Sequence, residues 1–360
     1  MRKAKRAHIP NAFFCLFCFL VCFAFSTVKD RPYPFPVIPQ FPEMPVNKAN
    51  PVTVNGVELG RRLFYDPVFS ADSTISCSSC HVQQHAFSNS PHAFSAGIRG
   101  QLQQRNTLPL FNLAWYKGLF WDGRTASIEE QVFHPLRTVS EMNSSWPEVT
   151  QKIKRSKVYR KLFYEAFGRV EIDSVLISKA IAQFERTLIS ANSKYDQVIR
   201  REAKFTLEEL EGMELVNDMT KGNCVHCHTT DGDGLGTTGL YSNNGLDEIN
   251  PGQEFKDKGL GAYTKNTADY GKFKIPSLRN LLFTAPYMHD GRFKTLEEVL
   301  DFYSEHLKAS PTIDPHLSFV PNSAPRLNTY EKKKIIAFLK TLSDSGFVEN
   351  PAYSNPFGKH

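Results

Sequence analysis

Cysteine, long apolar runs and net charge are all scarce in this chain, and each shortage removes a class of protein. There are seven cysteines in 360 residues, and three of them fall within the first 22. No further Cys or His follow the remaining four at the spacing a zinc site would need. The longest apolar run, Ala12 to Phe25, is short of the ~20 residues of a comfortable membrane span. Period-two alternation and Asn-Gly hairpin turns are few, so little competes with helix. Setting aside the first 26 residues removes four basic and no acidic side chains, leaving 39 Lys and Arg against 37 Asp and Glu. Those basic residues are scattered and form no stripe, which argues against nucleic acid as a partner.

The four remaining cysteines all lie in two copies of Cys-x-x-Cys-His: Cys77-Ser-Ser-Cys80-His81 and Cys224-Val-His-Cys227-His228. Two thiols three apart can each add to a vinyl group of one porphyrin, and the adjacent His turns back to ligate iron. A redox dithiol would not place His directly after both pairs. Two covalently bound haem c groups are therefore expected, attached at Cys77, Cys80, Cys224 and Cys227 and ligated by His81 and His228.

The other cysteines belong to a leader. Arg2, Lys3, Lys5 and Arg6 precede the apolar run, which ends in Ala24-Phe25-Ser26, the pattern of a secretory signal peptide over residues 1–26. Export and covalent haem attachment agree on a periplasmic location; a lipoprotein through Cys22 or an uncleaved anchor are the alternatives. Residues 27–52 are proline-rich and read as an extended arm. The remaining length is enough for two domains, and an internal repeat fixes them. Gly60-Arg-Arg-Leu63 precedes the first haem motif and Gly212-Met-Glu-Leu215 the second; Asp122-Gly-Arg-Thr-Ala-Ser-Ile-Glu-Glu130 follows the first and Asp290-Gly-Arg-Phe-Lys-Thr-Leu-Glu-Glu298 the second. Capping boxes at Thr206/Glu209, Ser127/Glu130 and Thr295/Glu298 open helices, and a helix over 175–189 is expected to be buried between the units. The expected organisation is a first haem domain over 53–204, a second over 205–345, and a loose tail over 346–360.

Several segments resemble the bacterial di-haem cytochrome c peroxidase and MauG family: Arg105-Asn106-Thr107, Phe120-Trp121-Asp122-Gly123-Arg124, Val139-Ser140-Glu141-Met142, Ile275-Pro-Ser-Leu-Arg-Asn280 and Thr284-Ala-Pro286-Tyr-Met288-His289. The match runs from about Leu59 to Leu342. The resemblance implies a mainly α fold of two cytochrome c-like helical domains, and oxidation by hydrogen peroxide. It assigns Glu141 as the acid–base group beside the first haem, Gln131 as a further residue of that pocket, and Trp121 as an electron relay between haems. It also implies a calcium ion held by Asn106 and the carbonyls of Thr284 and Pro286, ligands that suit a hard cation.

Coordination of the two irons should differ. Where classical members carry a His seven residues before the Arg-Asn motif, this chain has Ile98, which cannot ligate; His85 and His92 read as surface residues. A five-coordinate peroxidatic haem follows. Thirteen residues after Asp122 stands Pro135, and thirteen after Asp290 stands Tyr303. A proline leaves room for peroxide, and a phenol can complete the second iron. MauG-like members carry Tyr at that place and classical ones Met; Met288 is the rival ligand. His226 is expected to be structural. Three functions remain open: a peroxidase fed by a small cytochrome or cupredoxin, a MauG-like enzyme oxidising residues of a partner protein, and a non-enzymatic di-haem electron carrier. Family members often dimerise, but no interface stripe is evident for a homodimer.

Overall fold

The structure, a computed structural model, describes residues 30–169, 171–229, 234–318 and 326–358. The expected leader lies outside them. In the first unit, Thr53 caps α1 (Val54–Tyr65) by accepting from the Gly56 amide. Ser127 starts α2 (Ile128–Gln131), which runs almost directly into α3 (Phe133–Arg137). After them come α4 (Trp146–Arg155), α5 (Lys157–Phe167) and α6 (Ser174–Thr187). The second half carries α7 (Lys194–Ile199), α8 (Leu207–Asn217), β1 (Tyr241–Ser242), α9 (Leu260–Thr264), β2 (Phe273–Lys274), α10 (Leu296–Glu305), α11 (Pro315–Ser318), α12 (Thr329–Thr341) and α13 (Ser345–Glu349). The two strands pair antiparallel, with Tyr241 opposite Lys274. The fold is mainly helical, as expected, and the Thr206/Glu209 and Thr295/Glu298 boxes form.

The sequence repeat corresponds to one helix crossing built twice. A Cβ on Gly60 of α1 would fall on the carbonyl oxygen of Ala180 and against Phe184, both on α6; one on Gly212 of α8 would fall on the carbonyl of Lys334 and against Phe338, both on α12. Each glycine lets two backbones approach where a larger side chain would hold them apart. Around the first crossing Leu59, Leu63, Phe64, Phe163, Ile177 and Phe184 are fully buried; around the second, Val216, Ile335 and Phe338.

Three expectations change, and one helix packs through an unexpected face. Helix α6 runs through the core of the first unit and not between the units: Leu176, Ile177, Ala180, Ile181 and Phe184 are buried there, while Val175 in its first turn is half exposed. Leu207 and Leu210 of α8 face solvent, because this helix packs through small Gly212 and Val216. The second core also begins before Lys204, since Tyr195 of α7 packs with Val216, Leu296 and Phe338 and Lys194 pairs with Glu209 at 2.6 Å. The tail described through residue 358 is docked, not loose. Phe347, Val348 and Tyr353 bury against Phe87, Phe111 and Leu113 of the first unit, Asp344 accepts from the amides of Ala191 and Asn192, and Arg61 and Tyr65 donate to carbonyls of Ser354 and Tyr353. Three apolar side chains in a polar stretch are enough to anchor it.

The proline-rich arm is extended and tethered. Gln40 donates to the Ala191 carbonyl and to Asp196. Phe41 lies under the Arg279 guanidinium at 4.9 Å and edge-on to Trp115 at 5.3 Å. Among the described residues no helix is long and apolar enough to cross a membrane.

Candidate functional site

Each Cys-x-x-Cys-His motif opens with a tight 3-10 turn, Cys77–Ser79 and Cys224–His226. In the second motif both cysteines line one cavity. His81 Nδ1 lies 2.7 Å from the Phe87 carbonyl and His228 Nδ1 2.8 Å from the Pro276 carbonyl. A carbonyl can only accept, so each Nδ1 carries the proton and each Nε2 keeps its lone pair for a metal. Burial lowers both imidazoles to about 4, which keeps them neutral. The four thiols form no disulfide and are half-buried; burial pushes Cys224 up to about 12 and Cys227 up to about 11. Two thiols and one free imidazole nitrogen per motif are the donor set that covalent haem requires. Zinc fits poorly. Among the described residues the cluster within metal reach is His226, Cys227 and Asp314, which leaves out Cys224 and His228; His226 is exposed and lies against His316, ring centroids 3.6 Å apart and tilted by 32°.

Behind the second motif lies a cavity lined by Cys224, Cys227 and His228 and by Leu278, Leu281, Leu296, Leu300 and Leu339. Tyr303 and Met288, the two rival ligands, both line it. Burial raises the Tyr303 phenol to about 12. So does the first unit contribute: Trp121 and Asn106 line the same cavity, together with Thr284 and Pro286. Trp121 is 8% exposed, and its Nε1 donates to the Asn106 carbonyl at 2.8 Å. Its own carbonyl accepts from the Lys274 amide on β2 at 2.8 Å. The indole lies edge-on to His289 at 6.4 Å, and His289 stacks on Phe273 at 3.6 Å.

Second-unit residues grip the loop that carries this tryptophan. The Tyr241 hydroxyl sits where a Cβ on Gly118 or Gly123 would be; at Gly123, with φ +67°, the backbone itself also favours glycine. Arg105 forks onto Asp257 at 2.8 Å through two nitrogens and reaches Asp122 at 2.7 Å. Lys274 is buried with its ammonium 3.7 Å over the Tyr116 ring, and burial lowers it to about 7.

Around the first motif, Glu141 is half-buried; burial raises its carboxyl and Arg124 partly opposes that. Its charge opposes ionisation of both Cys77 and Cys80. The segment is held by close packing. A Cβ on Gly97 would fall on the Ser140 carbonyl, and the buried Ile98 donates its amide to the Glu141 carbonyl at 2.9 Å. Gln131 ends α2 and Pro135 stands in α3, both half-buried. His92 is exposed.

Two further residues escaped the sequence reading. Glu185 is 4% exposed, and its charge acts on Cys77. Burial raises it to about 8, opposed by Arg186 and reinforced by Glu129. The matched crossings, Phe184 with Phe338, pair Glu185 with Leu339, so aligning the two helices would have flagged a carboxyl where the second unit has leucine. Asn244 carried no such signal. Only the folded loop brings it to the cavity.

A family model described as di-haem cytochrome c peroxidase matches residues 54–204. The methylamine utilization protein MauG of Methylophilus methylotrophus is 30% identical over 316 residues, covering 87% of this chain and 89% of that protein. The cytochrome c551 peroxidase of Nitrosomonas europaea is 34% identical over 307 residues, covering 84% of each. This chain belongs to the di-haem cytochrome c peroxidase family. Membership makes it an oxidoreductase of peroxidase type and makes haem c the cofactor of both motifs. Among solved structures, a MauG-like protein associated with microbial copper homeostasis superposes with a TM-score of 0.83 at 32% identity, over 91% of this chain and all of that one. The pairing of cytochrome c-like units is thus that of the di-haem peroxidases.

Proposed function

We propose that the protein reduces hydrogen peroxide to water with electrons from a small periplasmic redox protein, a cytochrome c or a cupredoxin. When bound, the two haems supply the redox chemistry, one at each motif. Glu141 takes the proton from one peroxide oxygen and returns it to the leaving oxygen; Gln131 hydrogen-bonds the oxidant or an ordered water. Pro135 and Ile98 offer no ligand atom, so His81 is the one protein ligand at the first site. At the second, His228 and Tyr303 complete the set, and a phenolate oxygen favours the oxidised metal. Trp121 shortens the gap between the sites. Asn106 and the carbonyls of Thr284 and Pro286 hold a calcium ion that fixes the spacing.

The observation that carries this reading is the position of Trp121, a first-unit residue that lines the second cavity while hydrogen-bonded to both units. Steady-state consumption of peroxide by the matured protein with a reduced small cytochrome c tests it: turnover is expected, and a Glu141→Gln variant that keeps the wild-type rate would remove the assignment. Placement of Tyr303 in the cavity favours a second reading, oxidation of residues on a partner protein. Its mark would be an oxidised form that outlives peroxide when no donor is present.

A further inference from the structure

Asn244 has no part in the chemistry described so far, yet its side chain lies between the two rival ligands. Its Nδ2 is 3.0 Å from the Tyr303 hydroxyl oxygen and 3.5 Å from the Met288 sulfur. An amide NH2 has two hydrogens, enough to serve both acceptors. Both neighbours of Asn244 are locked in place. Asn243 is 5% exposed and donates to Ser310 and Thr312 at 2.7 and 2.9 Å, while its own oxygen accepts from the Gly245 amide. Gly245, at φ +71°, accepts from the Lys308 amide at 2.8 Å and leaves no room for a Cβ beside Ile313. The loop therefore presents the Asn244 amide as a fixed donor, and a fixed donor loses little entropy on binding its acceptor.

We infer that Asn244 is a positioning residue for the second haem site, holding the Tyr303 oxygen in place and selecting it over the Met288 sulfur as the side chain that would join His228 in holding the haem. This rests on the reading of Tyr303 as that ligand. The selection has a chemical basis: an N–H donor stabilises a phenolate oxygen strongly and a thioether sulfur weakly. A donor also withdraws electron density from the phenolate, so its loss leaves a stronger oxygen donor and a lower midpoint potential.

The test uses the matured full-length protein, with electron paramagnetic resonance of the oxidised form and spectroelectrochemical titration of both haems. Asn244→Asp keeps the size of the side chain and replaces the donor by an acceptor; Asn244→Leu removes the donor. Both are expected to shift the resonance of the second haem and leave that of the first unchanged, and Asn244→Leu to lower the second midpoint potential. Tyr303→Phe is the control. If Tyr303→Phe changes the second-haem spectrum and neither Asn244 variant does, the positioning role is wrong while the ligand stands. If Tyr303→Phe itself changes nothing, the ligand reading fails and the proposal falls with it.

Discussion

Two carboxyls of the first unit are both raised by burial, and they predict different pH effects. Glu141 must be ionised to take a proton, so peroxide turnover should fall as the pH drops through its raised value. Arg124 holds that value down. Replacing Arg124 with Gln should therefore move the acid limb of the pH profile to higher pH, while Glu141→Gln should remove the limb and slow turnover by roughly 10²–10⁴-fold. Glu185 acts on stability instead. Its carboxyl is raised to about 8, so the native state retains a proton that the unfolded chain has already released. The unfolded chain then binds fewer protons, and stability falls as pH rises from the ordinary carboxylate range toward 8. Thermal melting at pH 6 and pH 8.5 should show this loss in the wild type and a much smaller one in Glu185→Gln. Equal slopes for the two proteins would exclude Glu185 as the source.

Among the elements, the two glycine crossings give the clearest test. Gly60→Ala or Gly212→Ala must force apart helices whose backbones touch, a cost of about 1–3 kcal/mol for overpacking, to be read as a lowered denaturation midpoint with both haems still attached. A variant that unfolds with the wild-type midpoint would mean that the crossing relaxes freely. These crossings also show what the sequence could and could not disclose. Gly60 and Gly212 were visible as a repeat, and the capping boxes marked helix starts, because both are local patterns of residue type. The partners of the glycines were not visible, since a backbone carbonyl at Ala180 or Lys334 has no signature. Helix α8 shows the same limit: its closest contact is made through Gly212 and Val216, Leu215 packs only partly against the core, and Leu207 and Leu210 face water. At the site, Cys-x-x-Cys-His was legible because haem attachment constrains adjacent residues. Asn244 and Lys274 were not, because their role comes from a loop and a strand that fold back onto distant segments.

For the whole molecule, a buried polar contact in the second half ties that half to the N-terminal arm. Arg279 and Asp196 form an ion pair with both side chains 0% exposed, roofed by Phe41 from the N-terminal arm. Arg279→Met leaves the Asp196 charge buried without its partner, which should cost about 3–5 kcal/mol. Urea unfolding of the holoprotein measures it, and a loss below about 1 kcal/mol would show that the pair is replaceable. Calcium belongs to this scale as well. If Asn106, Thr284 and Pro286 hold an ion that spaces the haems, a chelator should slow electron transfer between them without releasing either haem; unchanged transfer would set that ion aside.

Burial of Phe347, Val348 and Tyr353 against the first unit has a consequence for biosynthesis. The Phe347 ring packs on Phe87, whose carbonyl orients His81, so the wall behind the first haem ligand is completed by a segment that lies far downstream in the chain. In synthesis from N- to C-terminus the first pair of thiols is therefore made well before that wall can close. Until Phe347 docks, the imidazole that the wall orients stands in an unfinished pocket.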